Sequence, residues 1–149
     1  EGDRLTKRMQ TVGNLLKLDP TKPDNPVIWS IKTPGKDNGT WSTPAFWKNT
    51  VVWPTKPGTI YGIDRTSGKV LWQVKTSGPQ LSSPNIIDGV LVQADGKGVV
   101  HAWDLGDGTT MPKQLWTVDI GTNIETTPAI WKGRIYFGSR DGFEYCLGL

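Results

Sequence analysis

The chain is poor in the residues on which redox and metal chemistry rest: its 149 residues include one cysteine, Cys146, and one histidine, His101. A single thiol excludes an internal disulfide, and no set of Cys and His has metal-ligand spacing. There are only two methionines and no long run of Ala, Leu, Glu and Lys, which argues against a helical protein. No apolar run approaches the ~20 residues of a membrane helix, so no membrane span is expected, and Glu1-Gly2-Asp3-Arg4 is not a signal peptide. Charge is also sparse. The formal net charge is +3, and apart from Arg4, Lys7 and Arg8 the cations are dispersed. A small, scattered surplus is a solvated surface, and no nucleic-acid partner is expected.

What is abundant points one way. Eighteen Gly, eleven Pro and eight Trp call for many short strands joined by tight turns, an all-β composition. Aligning the chain with itself reveals a period. Asp19, Asp64 and Asp104 each follow an alternating strand, Trp29, Trp72 and Trp116 follow those aspartates after a turn, and Thr43-Pro44, Ser83-Pro84 and Thr127-Pro128 form a third register. Three markers with one spacing of about 40 to 45 residues signal a repeat architecture of four short antiparallel strands per unit, the spacing of a β-propeller blade.

The second unit predicts strands at 44–47, 51–54, 59–63 and 70–75, and the third at 84–87, 90–94, 99–103 and 114–118. The organisation expected is a single partial propeller of about two complete blades and two partial ones. Residues 1–32 supply the last strands of one blade, 41–76 and 81–119 supply whole blades, and 125–149 an incomplete one. An open sector leaves bare strand edges, so the chain is expected to be the C-terminal part of a larger propeller or to be completed by a second copy.

Gly62-Ile63-Asp64-Arg65-Thr66-Ser67-Gly68-Lys69-Val70-Leu71-Trp72 resembles the tryptophan-docking motif of the pyrroloquinoline-quinone-like (PQQ-like) propeller repeats, usually Ala-x-Asp-x-x-Thr-Gly-Lys-x-x-Trp. The resemblance implies that each docking Trp packs between the small residue opening its own motif and the turn of the neighbouring blade. Trp72 is then expected on Gly62 and near Gly106 or Gly108, with Asp64 and Gly68 shaping the turn. Trp29, Ala102, Asp104 and Trp116 belong to weaker copies, one with a longer turn through Met111-Pro112. Cys146 falls in the register of Gly62 and Ala102, the small slot beneath a Trp, and His101 in the register of Tyr61 and Tyr145, as a half-buried strand residue and not a base.

No catalytic, metal or cofactor-binding residue is assigned. The quinoprotein dehydrogenases of this superfamily hold PQQ with a vicinal disulfide and a calcium site, neither of which can be placed here. Ligand contact is expected instead at the loops entering each blade: Asp37, Asn38 and Trp41 in the longest, with Gln80, Asn123 and Glu125 in the others. Asn38-Gly39-Thr40 also fits a glycosylation sequon. The expected function is a non-catalytic module, a binding or protein-assembly scaffold with protein or polysaccharide partners. The alternatives are a fragment of a quinoprotein dehydrogenase, which alone would need PQQ and calcium, and a glycan-binding propeller, which needs Trp41, Trp47 and Trp53 in one open groove. Relatives by repeat include outer-membrane assembly lipoproteins and large exported propellers of environmental bacteria, so the resemblance implies an extracytoplasmic location.

Overall fold

The computed structural model describes residues 13–34 and 39–148. Among them every regular element is a strand, and each strand pairs antiparallel with its chain neighbour. Blade 1 is the hairpin β1 (Asn14–Leu18) and β2 (Val27–Lys32). Blade 2 is a four-stranded meander, β3 (Ala45–Trp47), β4 (Thr50–Thr55), β5 (Thr59–Asp64) and β6 (Val70–Lys75). Blade 3 repeats it with β7 (Asn85–Ile87), β8 (Val90–Ala94), β9 (Val99–Asp104) and β10 (Lys113–Asp119), and blade 4 has three strands, β11 (Ala129–Trp131), β12 (Arg134–Gly138) and β13 (Glu144–Leu147). The all-β fold of four-stranded antiparallel blades is the one the composition and period imply.

The turns show why the sequence folds this way. Lys97-Gly98 closes the hairpin between β8 and β9, with Gly98 at φ 91° and its N–H bonded to the Asp95 carbonyl at 3.0 Å. A side chain at Gly98 would stand 2.3 Å from the Thr122 carbonyl oxygen, so both conformation and space require glycine there. Between the first two strands of blades 2, 3 and 4, Lys48, Asp88 and Lys132 take φ of 51°, 48° and 47°, the left-handed geometry of tight hairpin turns.

There is no single core. Alternate residues of the middle strands point to opposite faces of each sheet, so each blade shares one cluster with the blade before and another with the blade after. Val51, Trp53 and Ile63 meet Leu15, Trp29 and Ile31 between blades 1 and 2. Val52, Ile60, Trp72, Leu91, Trp103 and Leu105 fill the next junction, and Val92, Ala94, Val100, Ile124 and Phe137 the third. Main-chain bonds run along the same junctions: Thr43 N–H donates to Ser83 Oγ at 2.9 Å and Ser83 N–H to Thr127 Oγ1 at 3.2 Å. The Thr/Ser-Pro register seen in the sequence is therefore a hydroxyl belt that links three successive blades.

Candidate functional site: blade junctions and the loop end of the sector

The motif residues lie at the junctions. Gly62 pairs with Trp72 across β5 and β6, and a Cβ on Gly62 would fall 1.9 Å from the indole. The indole is buried and donates its Nε1–H to the Gly108 carbonyl of blade 3 at 2.8 Å, which also accepts from Thr50 Oγ1 at 2.9 Å. Trp29 repeats the arrangement one blade earlier, with Nε1–H to the Arg65 carbonyl at 3.2 Å and its ring against Gly68. Lys17 stands opposite Trp29 where the other copies have Gly or Ala, and its Nζ reaches the same Arg65 carbonyl at 3.1 Å. Trp116 stands opposite the buried Ala102 but is 37% exposed, beside an open groove of about 430 Å³ lined by Val118, Gly133, Ile135 and Leu147.

A regular distortion aims these tryptophans. In all three hairpins the pairing slips just before the Trp, leaving Ile28, Leu71 and Leu115 as extra residues. One extra residue bends the strand and rotates the next side chain, which directs each indole toward the neighbouring blade. Neither these slips nor the role of Trp47 is visible in the sequence; Trp47 Nε1–H and the adjacent Lys48 Nζ both donate to the Gly106 carbonyl of blade 3 at 3.0 Å.

The motif aspartates hold turns. Asp64 Oδ1 accepts from Ser67 N–H at 2.7 Å and Thr66 N–H at 3.1 Å, and Oδ2 from Asn49 Nδ2 at 2.7 Å. The bonds from Ser67, with those from Thr66 and Asn49, hold its carboxyl below the usual range. In the longer turn of blade 3, Asp104 binds only Gly106 N–H at 2.8 Å, and Asp107 holds Thr109 and Thr110. Those bonds, Thr109 N–H first, lower Asp107 to about 2. Cys146 is exposed on β13, the edge strand of blade 4 among the described residues, where no Trp lies over it.

The interblade loops and the β4–β5, β8–β9 and β12–β13 turns share one end of the sector. There the expected contact residues divide. Asp37 and Asn38 lie outside the described residues. Trp41 is 67% exposed, with Lys56 Nζ 5.8 Å from its ring centre. Gln80 does not face a ligand: it is fully buried, because its Nε2 bonds back to Thr76 Oγ1 at 2.5 Å and its N–H is held by the Lys56 carbonyl at 3.2 Å. Asn123 and Glu125 are turned toward each other at 3.3 Å, and Glu125 accepts from Arg140 at 2.9 Å.

His101 is buried, not half-buried, and its Nε2 lies 2.9 Å from Asp95 Oδ2. The same oxygen accepts from Ser77 Oγ at 2.6 Å and Gly78 N–H at 2.9 Å, while Oδ1 accepts from Lys97 N–H at 2.9 Å and Val99 N–H at 3.2 Å. Burial, the largest influence, pushes the Asp95 carboxyl upward, but the bonds from His101, Ser77 and the turn N–H groups outweigh it and hold the group well below its ordinary value. Ser77 lies 3.5 Å from the same His nitrogen that faces Asp95, so one nitrogen cannot both rest on the acid and activate the hydroxyl. The cluster ties the loop from blade 2 to the β8–β9 turn of blade 3; it is not a nucleophile with its base.

Cys146 has no vicinal partner, and among the described residues no three His, Cys, Asp or Glu side chains converge. The glycan arrangement is not formed either: Trp53 is buried, Trp47 is engaged with blade 3, and Trp41 stands apart at the loop end.

Comparison with known proteins then fixes the family. A family model described as outer membrane protein assembly factor BamB matches residues 13–139. The chain belongs to that family. It is 28% identical over 88 residues to the Yersinia pestis outer membrane protein assembly factor BamB, which covers 56% of this chain and 21% of the relative. It is 32% identical over 91 residues to the tetrathionate hydrolase of Acidithiobacillus ferrooxidans, covering 59% and 17%, and 29% identical over 101 residues to the Danio rerio beta-alanine-activating enzyme, covering 62% and 8%. Among solved structures, BamB from Moraxella catarrhalis superposes with a TM-score of 0.73 over 91% of this chain and 40% of that one, at 23% identity. A europium-containing methanol dehydrogenase gives 0.58 over 70% and 21%, at 18% identity. The chain thus spans 8 to 21% of the curated relatives it matches. The structural likenesses bear on the fold, a PQQ-like propeller with assembly factors and quinoproteins among its neighbours.

Proposed function

We propose that this chain is a non-catalytic module of a PQQ-like propeller, a scaffold that binds a protein partner at its loop end, works without a resident cofactor and is located outside the cytoplasm. In this reading Trp29 and Trp72 are docking contacts of the blades and have no role in ligand chemistry. The observation that carries it is the division of labour at the loop end. The polar side chains Asp95, His101, Gln80, Asn123, Glu125 and Arg140 are turned onto one another or onto their own loops. The large apolar groups Trp41 and Phe143 are each 67% exposed there. Two large exposed aromatics beside polar side chains that bond mainly among themselves suit the flat contact of a protein interface, although the buried Gln80 Oε1 and Asn123 Oδ1 are left without a partner. The match to an assembly-factor family supports the same reading.

The test is photo-crosslinking from a benzoylphenylalanine placed at Trp41 or Phe143, with Asn49 and Asp107 at the opposite end as controls. Protein adducts of one defined mass from the first pair and none from the controls are expected. Adducts spread equally over both ends would overturn the assignment of the surface.

A further inference from the structure

Successive junctions build the same loop-end corner differently. Between blades 2 and 3 the corner is filled from within: the Asp95 carboxylate accepts from Ser77 Oγ at 2.6 Å and from Lys97 N–H at 2.9 Å, and His101 Nε2 lies 2.9 Å from it. The strand register gives the counterparts one blade earlier. Thr55 pairs with Thr59 and Trp53 with Tyr61, as Asp95 bonds to Val99 and Gln93 pairs with His101, so Thr55 stands for Asp95 and Tyr61 for His101. Lys75, opposite Thr59, stands for Asp119, opposite Val99. Thr33 N–H bonds to the Gly13 carbonyl as Thr76 N–H bonds to that of Gly58, which puts Pro34 in the place of Ser77. Pro57, just before the turn Gly58, takes the place of Lys97 and has no N–H to give.

Between blades 1 and 2 the internal carboxylate is therefore missing, and a cavity of about 310 Å³ opens in its place, with Thr55, Thr59, Tyr61, Gln73 and Lys75 in its wall. The Thr55 hydroxyl does not fill it, because Oγ1 is engaged by the Thr59 carbonyl at 2.7 Å. Among the described lining residues Lys75 is the one charged group. The Tyr61 hydroxyl, the Gln73 amide and the Lys75 ammonium bond to no described residue. Beside them stands Trp53, 1% exposed, with its ring centre 5.9 Å from that of Tyr61 and its Nε1–H buried without a partner. An unpaired buried donor is costly, and this corner, rich in donors, is short of an acceptor.

We propose that this corner binds a small aliphatic carboxylate, whose anion takes the place that the Asp95 carboxylate holds one blade on. Lys75 Nζ supplies the opposite charge, and the Tyr61 hydroxyl and Gln73 Nε2 donate to the oxygens; hydrogen bonds from a cation to a carboxylate are the strong ones. The walls come from Thr33 and Pro34, which follow β2, and from β4, β5, β6 and the β4–β5 turn of blade 2, all within one chain. The proposal is independent of the partner surface at Trp41 and Phe143.

Isothermal calorimetry of the longest available form of the chain tests it, with succinate as probe and uncharged succinamide and inorganic phosphate as controls. A single saturable site is expected for succinate, with no binding of succinamide and weaker binding of phosphate. Lys75→Ala, at an exposed position, is expected to weaken succinate binding about tenfold, the effect of losing one charge-assisted bond. Tyr61→Phe, which removes only the hydroxyl, is expected to weaken it about fivefold, while Lys97→Ala at the next junction leaves it unchanged. Thr55→Asp builds the blade 3 carboxylate into the corner and is expected to abolish binding; Lys75→Glu serves if far-UV circular dichroism shows that variant to be unfolded. Absence of saturable succinate binding overturns the proposal. So does binding of succinamide or phosphate as tight as that of succinate, or an effect of Lys97→Ala as large as that of Lys75→Ala.

Discussion

Replacing Trp72 by Ala separates burial from mere presence of the docking tryptophan. The side chain is 3% exposed, lies on Gly62 with no room for a methyl group, and donates to the Gly108 carbonyl at 2.8 Å. Truncating a buried indole costs about 3–5 kcal/mol, the loss of transfer energy plus the cavity. The Gly108 carbonyl keeps Thr50 Oγ1 at 2.9 Å, so loss of the indole donor adds only about 1 kcal/mol. Trp116→Ala removes the same group from a site that is 37% exposed and offers it no acceptor among the described residues, so about 1–2 kcal/mol is expected from area alone. Trp29, half-buried with a longer hydrogen bond of 3.2 Å, falls between the two. Urea unfolding followed by far-UV circular dichroism therefore orders the midpoints as wild type, Trp116→Ala, Trp29→Ala, Trp72→Ala. Because each blade touches only its neighbours, the Trp72 variant is also expected to broaden or split the transition as blades 1–2 uncouple from blades 3–4. Equal losses for Trp72→Ala and Trp116→Ala would refute the reasoning, since the motif would then act within its own hairpin and not at the junction.

Gly62→Val drives a side chain into the Trp72 ring and is expected to match Trp72→Ala in loss of stability, with no further loss in the double variant; additive losses in a double-mutant cycle would contradict this. Asp95 is favoured in its ionised form by the fold, so its stabilisation is complete above the ordinary value of 3.8 and disappears as pH falls through the lower folded-state value. Between about pH 4 and 2 the wild type is expected to lose stability steeply and Asp95→Asn to show a shallower slope in urea midpoints; parallel slopes would remove Asp95 from the account. Asp64→Ala frees the Thr66 and Ser67 N–H groups of an exposed turn, and a lower melting temperature with unchanged near-UV signal is expected. Trp41→Ala is expected to leave the melting temperature unchanged and to abolish partner crosslinking from Phe143.

The repeat was legible because it is written in residues with strong local roles: an Asp that binds turn N–H groups, a Gly with positive φ, a Pro at a strand start and a Trp too large to leave unpacked. Those markers placed the strands within a residue or two, and the family resemblance put Trp72 on Gly62 and near Gly106 or Gly108, of which the structure has Gly108. The slips at Ile28, Leu71 and Leu115 were not legible, since a bulge depends on how two strands pair and leaves no distinct residue type behind. Trp47 looked like a turn flank because its acceptor lies 59 positions away in another blade. The Asp95–His101 pair was missed for a similar reason: it occurs in one blade only, so comparison of the repeats gives no second copy to flag it. Gln80 was expected to face the mouth on polarity alone, whereas the loop folds over it and uses its amide internally. Cys146 has the register of a packing slot, but the neighbour that would occupy it is not among the described residues.

The central claim is that this module binds through its surface and does not run quinone chemistry. Equilibrium binding of pyrroloquinoline quinone in the presence of calcium, read by absorbance together with dye reduction on the longest available form of the chain, tests it directly. No saturable binding and no dye reduction are expected. Stoichiometric, calcium-dependent binding with turnover would contradict it.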